Sequence, residues 1–307
     1  MKNTRVLTEG ALMLAIYTVL LLLSLYVPLI GSVAFFLLPL PVMMYSAKHP
    51  LPQALFLFVG VILISGLLGG ILTLPLAFAI GTTGIVIGWG IKAKFDKMRL
   101  LMASSLTLLL NIVVWYAISI AFFNMNIVED SLEQSKTMYH SLFEKLGQQP
   151  DKEIIDSLES SVSLIQTLMP TLFLGMAVFL ALFFMIINFP IMKRLGVDVP
   201  AFQPFREWKL PKSILWYYLV TLVLTIVLQP EKGTYIYTAL INVLYVLQSL
   251  MAVQGLSFLY FYSYTKGWSK GILILITIIS IPLLYLVRIL GIIDLGFDLR
   301  QRLQRKS

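Results

Sequence analysis

Residues 10–47, GALMLAIYTVLLLLSLYVPLIGSVAFFLLPLPVMMYSA, hold no Lys, Arg, Asp or Glu and lie between Glu9 and Lys48. About 20 apolar residues in an α-helix cross a bilayer core of roughly 30 Å, so this run is long enough to cross twice. Pro28 and Gly31 divide it into a first span over residues 6–27 and a second apolar run to residue 47, itself interrupted by Pro39 and Pro41. Lys2 and Arg5 precede the first span and no small-x-small cleavage pattern follows it, so a retained helix is expected in place of a removed signal peptide.

The rest of the chain repeats the pattern. Residues 49–91, 100–128 and 233–265 are also free of these charges. Over all 307 residues, 59% are hydrophobic, 12% are charged and the mean hydropathy is +0.89. An ordinary soluble domain has about 45–50% apolar and about 25% charged residues, so a soluble globular protein is excluded. The expected fold is all-α, a polytopic transmembrane helical bundle of eight or nine spans with an extracytoplasmic helical hairpin.

Charge islands divide the chain. Residues 1–123 hold the first five spans, with Lys48 and a cluster from Lys92 to Arg99 at their ends and a tight Gly69–Gly70 turn between the third and fourth. Residues 124–168 are polar and carry eight acids against three lysines. A sixth span over 169–192 leads to a basic and aromatic loop, 193–212. Lys and Arg are retained on the cytoplasmic side, so this loop, the other basic islands and the N-terminus are expected inside and the acidic segment outside a bacterial inner membrane. Residues 213–307 supply two or three more spans and a basic tail. Nine spans place Arg300, Arg302, Arg305 and Lys306 outside, against the charge rule; eight, with 214–229 re-entering, place them inside. Both counts remain open at this point.

Within the acidic segment, Asn126 and Glu129 form a candidate capping box. Leu132, Met138, Tyr139, Leu142 and Leu146 then recur near helical spacing until Gly147. After Pro150 the pattern returns at Ile154, Ile155, Leu158, Val162 and Ile165. Two amphipathic helices are expected, either as a lid over an outward pocket or as a solvated connection between spans.

Several chemistries are excluded. The chain has no cysteine, hence no disulfide, thiolate nucleophile or thiolate metal site. His49 and His140 lie far apart between spans, and no GxxxxGK[ST] loop is present. No metal, cofactor or nucleic-acid partner is expected. The net charge of +8 reads as membrane orientation. No acid, base or nucleophile pair sits at catalytic spacing inside the spans, so the chain is not expected to be an enzyme.

The polar residues left inside the spans are the candidates for function, because each is costly to insert and faces a partner, a cavity or another helix. Asn111 and Trp115 share one face at i, i+4; Asn188, Asn242, Gln248 and Gln254 lie in later spans. Arg288, Asp294 and Asp298 are the charges of the last apolar region, and the spacing of the two acids puts both on one helical face, within reach of Arg288 or Arg300. Asn111, Trp115, Asn188, Arg288, Asp294 and Asp298 are therefore candidate solute ligands, with interhelical hydrogen bonding and snorkelling as the structural alternatives. The small-xxx-small pairs Gly66/Gly70 and Gly84/Gly88 suit close helix packing. Pro39, Pro41 and Pro75 suit kinks or broken helices that expose carbonyls to a solute. The strip VPAFQPFREWKLP, 199–211, combines prolines, aromatics and cations and suits either the headgroup boundary or a docking surface formed by Phe205, Arg206 and Trp208.

The opening TEGALMLAI, 8–16, followed by Pro28 and Gly31, resembles the start of the substrate-binding S components of energy-coupling factor transporters. There an alanine-xxx-alanine pair packs against a transmembrane coupling protein, and Ala11 and Ala15 match it. Over the whole chain, including PFREWKLP, 204–211, and GIIDLGFDLR, 291–300, the sequence more closely resembles the YybS-like family of bacterial predicted membrane proteins, itself distantly similar to the S components. The extra spans after Lys212 and the long polar segment before Pro170 depart from the usual S component, and no ligand residues carry over.

Two functions follow as expectations. One is a lipid-embedded component that binds a small-molecule solute from outside and passes it inward, with a transmembrane coupling protein and ATPase subunits as partners. The other is a noncatalytic membrane scaffold for envelope assembly.

Overall fold

The computed structural model describes residues 2–123, 126–145 and 152–304, and every regular element among them is helical. In chain order these are α1 (Lys2–Tyr26), α2 (Ile30–Leu37), α3 (Leu40–Lys48), α4 (Leu51–Gly69), α5 (Leu74–Lys92), α6 (Lys97–Phe123) and α7 (Ile127–Lys145). There follow α8 (Lys152–Thr167), α9 (Met169–Arg194), α10 (Ser213–Leu228), α11 (Tyr235–Thr265), α12 (Lys270–Ser280), α13 (Leu284–Phe297) and α14 (Leu299–Gln304).

Among the described residues seven segments are long and apolar enough to cross a bilayer: α1, α2 with α3, α4, Ile71–Lys92, α6, α9 and α11. The pair α12 and α13, bent by 108°, is an eighth candidate if it counts as one span. A ninth would require α10, whose 16 residues extend only about 24 Å. A sharp break falls at Ile281, Pro282 and Leu283, where a proline cannot continue the hydrogen-bond ladder.

Several prolines elsewhere stand at helix starts. Pro39 is the residue before α3, and Pro41 and Pro75 lie in the first turns of α3 and α5. First-turn N–H groups have no intrahelical acceptor, so a proline there costs little. Pro39 nonetheless sits at a break inside the Ile30–Lys48 span, between α2 and α3, as a broken-helix reading of Pro39 and Pro41 expects, whereas Pro75 lies near the start of Ile71–Lys92.

Both helices of the acidic segment form, as α7 and α8. The connection with Gly147 and Pro150, the residue Leu146, and the side chains of Glu129, Leu132, Ile154, Ile155 and Leu158 lie outside the described residues, and with them the capping box and the hairpin.

The chain forms two compact units, residues 1–149 with 172–201, and residues 150–171 with 202–307. In the first, α3 is buried along most of its length against the glycine face of α5. A Cβ on Gly84 would meet Val42 at 2.9 Å, and one on Gly88 would meet the Met43 carbonyl oxygen at 2.4 Å, so this small-xxx-small pair does pack helices closely. Of Gly66 and Gly70 only the first does so, a Cβ there lying 3.2 Å from the Leu74 side chain; Gly70 ends α4 with φ 73° and has nothing within 4 Å of its Cβ position. Beside them, Phe35 and Phe36 of α2 stack on Phe184 and Phe183 of α9.

In the second unit α11 is the central element, with α10 and α13 packed along it and the 202–212 loop crossing it. Asn242 secures its other end. Its Oδ1 accepts from the Thr171 backbone N–H (3.0 Å) and hydroxyl (2.7 Å), and its Nδ2 donates to the Thr167 carbonyl (2.7 Å). It thereby satisfies one of the unpaired N–H groups in the first turn of α9.

Candidate functional site

The most extensive polar cluster in the described residues is built where α11 and α13 cross. Gly255 and Gly291 allow it. A Cβ on Gly255 would lie 1.9 Å from the Val287 carbonyl oxygen, and one on Gly291 would lie 2.0 Å from the Met251 carbonyl oxygen. With the two backbones touching, Gln254 of α11 reaches Asp294 of α13, its Nε2 donating to Oδ2 at 2.5 Å. The same amide accepts from the Leu210 N–H at 2.9 Å, which fixes its orientation.

Asp294 is fully buried, so its charge needs a counter-ion. Arg300 supplies it, Nε donating to Oδ2 at 3.0 Å. In an uninterrupted helix, residues six apart point about 120° away from each other. The chain avoids this by ending α13 at Phe297 and placing Asp298 in the left-handed region at φ 50°, which turns Arg300 back towards Asp294. The remaining guanidinium nitrogens donate to the Arg206 carbonyl (2.8 Å) and the Ser257 hydroxyl (3.1 Å). That hydroxyl lies 2.8 Å from the Phe205 carbonyl and 2.7 Å from the Trp208 carbonyl, either of which can take its proton. One atom is left over: Asp294 Oδ1 is buried with no hydrogen-bond partner among the described residues.

The expectation that Asp294 and Asp298 share a helical face is corrected by the same left-handed turn. Asp298 points instead to Lys209, at 2.5 Å, and Lys212, whose Nζ contacts its other oxygen. Hydrogen bonds from Lys209 and then Lys212 hold its carboxyl at about 2, below the ordinary 3.8. Arg288 joins neither acid; its guanidinium lies 5.1 Å from the Tyr285 ring centroid.

The Phe205, Arg206 and Trp208 strip is occupied within its own unit. Phe205 packs edge-on against Tyr260 and Trp208, at 5.2 and 5.4 Å between ring centroids. Arg206 stands 3.9 Å from the centre of the Tyr264 ring, and Trp208 Nε1 donates to the Gln203 carbonyl at 3.1 Å. The strip is a clamp across α11, made of rings outside and carbonyls inside.

In the first unit Asn111 Nδ2 donates to Thr82 Oγ1 (3.1 Å) and to the Thr107 carbonyl (2.7 Å), and Trp115 stands edge-on to Phe78. Both contacts tie α6 to α5. Asn188 is buried in α9 and donates to the Phe36 carbonyl at 2.8 Å, an acceptor freed where α2 stops before Pro39. Within each unit the candidate solute ligands are held by separate protein partners. Ala11 and Ala15 are both exposed on α1.

Three elements escaped the sequence reading. Ser257 resembles any span serine, and Lys209 with Lys212 read as orientation charges. The pair Glu9 and His49, joined at 2.8 Å, is 40 residues apart with no spacing signal. Gly255 and Gly291 also went unread, since no local spacing links two glycines on different helices. Among the described residues no three His, Cys, Asp or Glu side chains cluster as metal ligands. The polar cluster is a charge-balanced lock that joins two helices, the turn after α13 and the 205–210 loop, and it contains no paired nucleophile and base.

Residues 15–295 match the family described as predicted membrane protein, DUF2232. The chain is 30% identical to the Bacillus subtilis protein YybS over 312 aligned positions, covering 99% of this chain and all of that protein. No solved structure matches it. With a family match and a full-length relative that agree with an all-helical bundle of seven or eight candidate spans, the chain belongs to the DUF2232 family of predicted membrane proteins.

Proposed function

We propose that this protein is a non-catalytic binding component of a bacterial inner-membrane assembly for small-solute uptake, and that α1 docks a transmembrane coupling protein energised by separate ATPase subunits. The observation that carries this reading is the exposure of Ala11 and Ala15. Tyr17 and Leu21 of the same helix are buried, Tyr17 bonds to Ser65 at 2.8 Å, and Leu14 sits against Gly60. The helix thus spends one face on its own unit and leaves two methyl groups, four residues apart, on another. Such a low-relief strip lets a foreign helix approach closely in lipid. In this reading the N-terminus and the basic loops are cytoplasmic and α7 and α8 lie outside, as retention of Lys and Arg requires.

The test is affinity purification of the full chain from its host in mild detergent, with A11L/A15L beside it. Co-eluting ATPase chains that disappear in the variant, at unchanged thermal stability, support docking through α1. Equal co-purification from both proteins rules that face out.

The scaffold reading has its own observation. Met138 and Leu142 of the amphipathic α7 are 65% and 47% exposed, an apolar strip left uncovered. Envelope-assembly partners lost from M138E/L142E, with no ATPase recovered, would favour it.

A further inference from the structure

An apolar crevice opens in the second unit beside the Asp294 lock. Its larger part, about 640 Å³, is lined by Phe258, Leu259, Tyr262, Leu290, Leu299 and Leu303, with Arg302 as its one charged side chain among the described residues. A smaller part of about 270 Å³ shares Leu259 and Leu290 with it and continues past Ile276 and Ile279 to Leu283, at the α12–α13 bend. Pockets that hold small molecules measure about 300–1,000 Å³, so the space suits a substantial ligand.

The two ends differ in chemistry. The far end holds no charged side chain. At the near end Arg302 is exposed, and Lys266 Nζ stands 5.9 Å from the centre of the Tyr262 ring that lines the crevice. Neither cation has an ion-pair partner among the described residues. The unit's two acids in this region are committed elsewhere, Asp294 to Arg300 and Asp298 to Lys209 and Lys212. A cation in the lining of an apolar slot and a second beside one of its lining rings, neither ion-paired among the described residues, match a ligand with an anionic head and a hydrocarbon tail.

The geometry points to a binding site for an anionic phospholipid, its phosphate between Lys266 and Arg302 and one acyl chain along Leu259 and Leu290 towards the α12–α13 bend. The site does not depend on the uptake reading. A bilayer supplies this ligand laterally, and Leu259 and Leu290, which line both parts, would flank the acyl chain between them.

The experiment reconstitutes the full chain in nanodiscs and compares spin-labelled phosphatidylglycerol with spin-labelled phosphatidylcholine. The immobilised fraction should favour phosphatidylglycerol. Each cation near an anionic headgroup contributes about a fivefold preference, so K266Q and R302Q should each reduce it by about that factor. L290W, which fills the shared segment, should remove the immobilised fraction for both lipids. Equal retention of the two lipids by the unaltered chain, or a preference unchanged in K266Q/R302Q, overturns the assignment. If L290W does not fold, the two variants at exposed cations still decide it.

Discussion

Gly255 and Gly291 face each other across the α11–α13 crossing so closely that a Cβ on Gly291 would stand 2.8 Å from the Gly255 backbone nitrogen. What each methyl would strike is main chain, which cannot swing aside as a side chain does. Overpacking by one methylene typically costs about 1–3 kcal/mol, and G255A and G291A should fall at or above the top of that range. G175A is the control, since nothing lies within 4 Å of that Cβ position. It should be neutral or stabilising by up to about 1 kcal/mol. Thermal unfolding of the detergent-solubilised variants measures both, and a G255A protein as stable as the parent contradicts the crossing.

The buried pair of Asp294 and Arg300 should behave as a unit. Removing one partner of a buried ion pair costs about 3–5 kcal/mol, because the other charge is left uncompensated. R300Q should therefore destabilise strongly. R300K should rescue only in part, since an ammonium cannot reproduce contacts that diverge to Asp294, Arg206 and Ser257. The double variant D294N/R300Q should lose less than the sum of its singles. Additive losses would mean that the two side chains are energetically independent.

Asn242 joins the end of α8 and the start of α9 to α11 through both ends of its amide. Hydrogen bonds between membrane helices average about 0.6 kcal/mol and reach about 1.7 kcal/mol, so N242L should lose about 1–2 kcal/mol. Proteolysis between α8 and α9 should speed up in step with the loss of stability. N242D, which keeps the acceptor and loses the donor, should fall between the two. Protease resistance unchanged in N242L would show that the latch carries no strain from opening.

Acid should release Asp298. Its folded-state value of about 2 lies below the ordinary 3.8, so the contribution to stability is complete above that ordinary value and is lost as pH falls from about 4 towards 2. D298N should be less stable than the parent near neutrality, and the two melting curves should converge near pH 2. A gap that persists there would assign the effect of D298N to the left-handed turn and not to the lysines.

Composition alone determined that this chain is a polytopic helical membrane protein, because lipid solvates apolar side chains indiscriminately and backbone groups must then be satisfied within helices. The long α11 and the two amphipathic helices of the acidic segment were legible for the same reason: each is a property of one helix and its own periodicity. Partner choice was not. The i, i+4 rule placed Asp294 and Asp298 on one face, but a single left-handed residue sent them to Arg300 and to Lys209 with Lys212. Spacing nominated Gly66 with Gly70, while the closest backbone contact formed at Gly255 and Gly291, which no local pattern links. Likewise the 205–208 strip reads as a headgroup-boundary or docking segment, and only the tertiary structure puts Phe205 against Tyr260 and Arg206 over Tyr264. Which helix stands opposite is decided by packing over the whole unit, since the repeat of a helix sets the direction in which a side chain points and not what it meets.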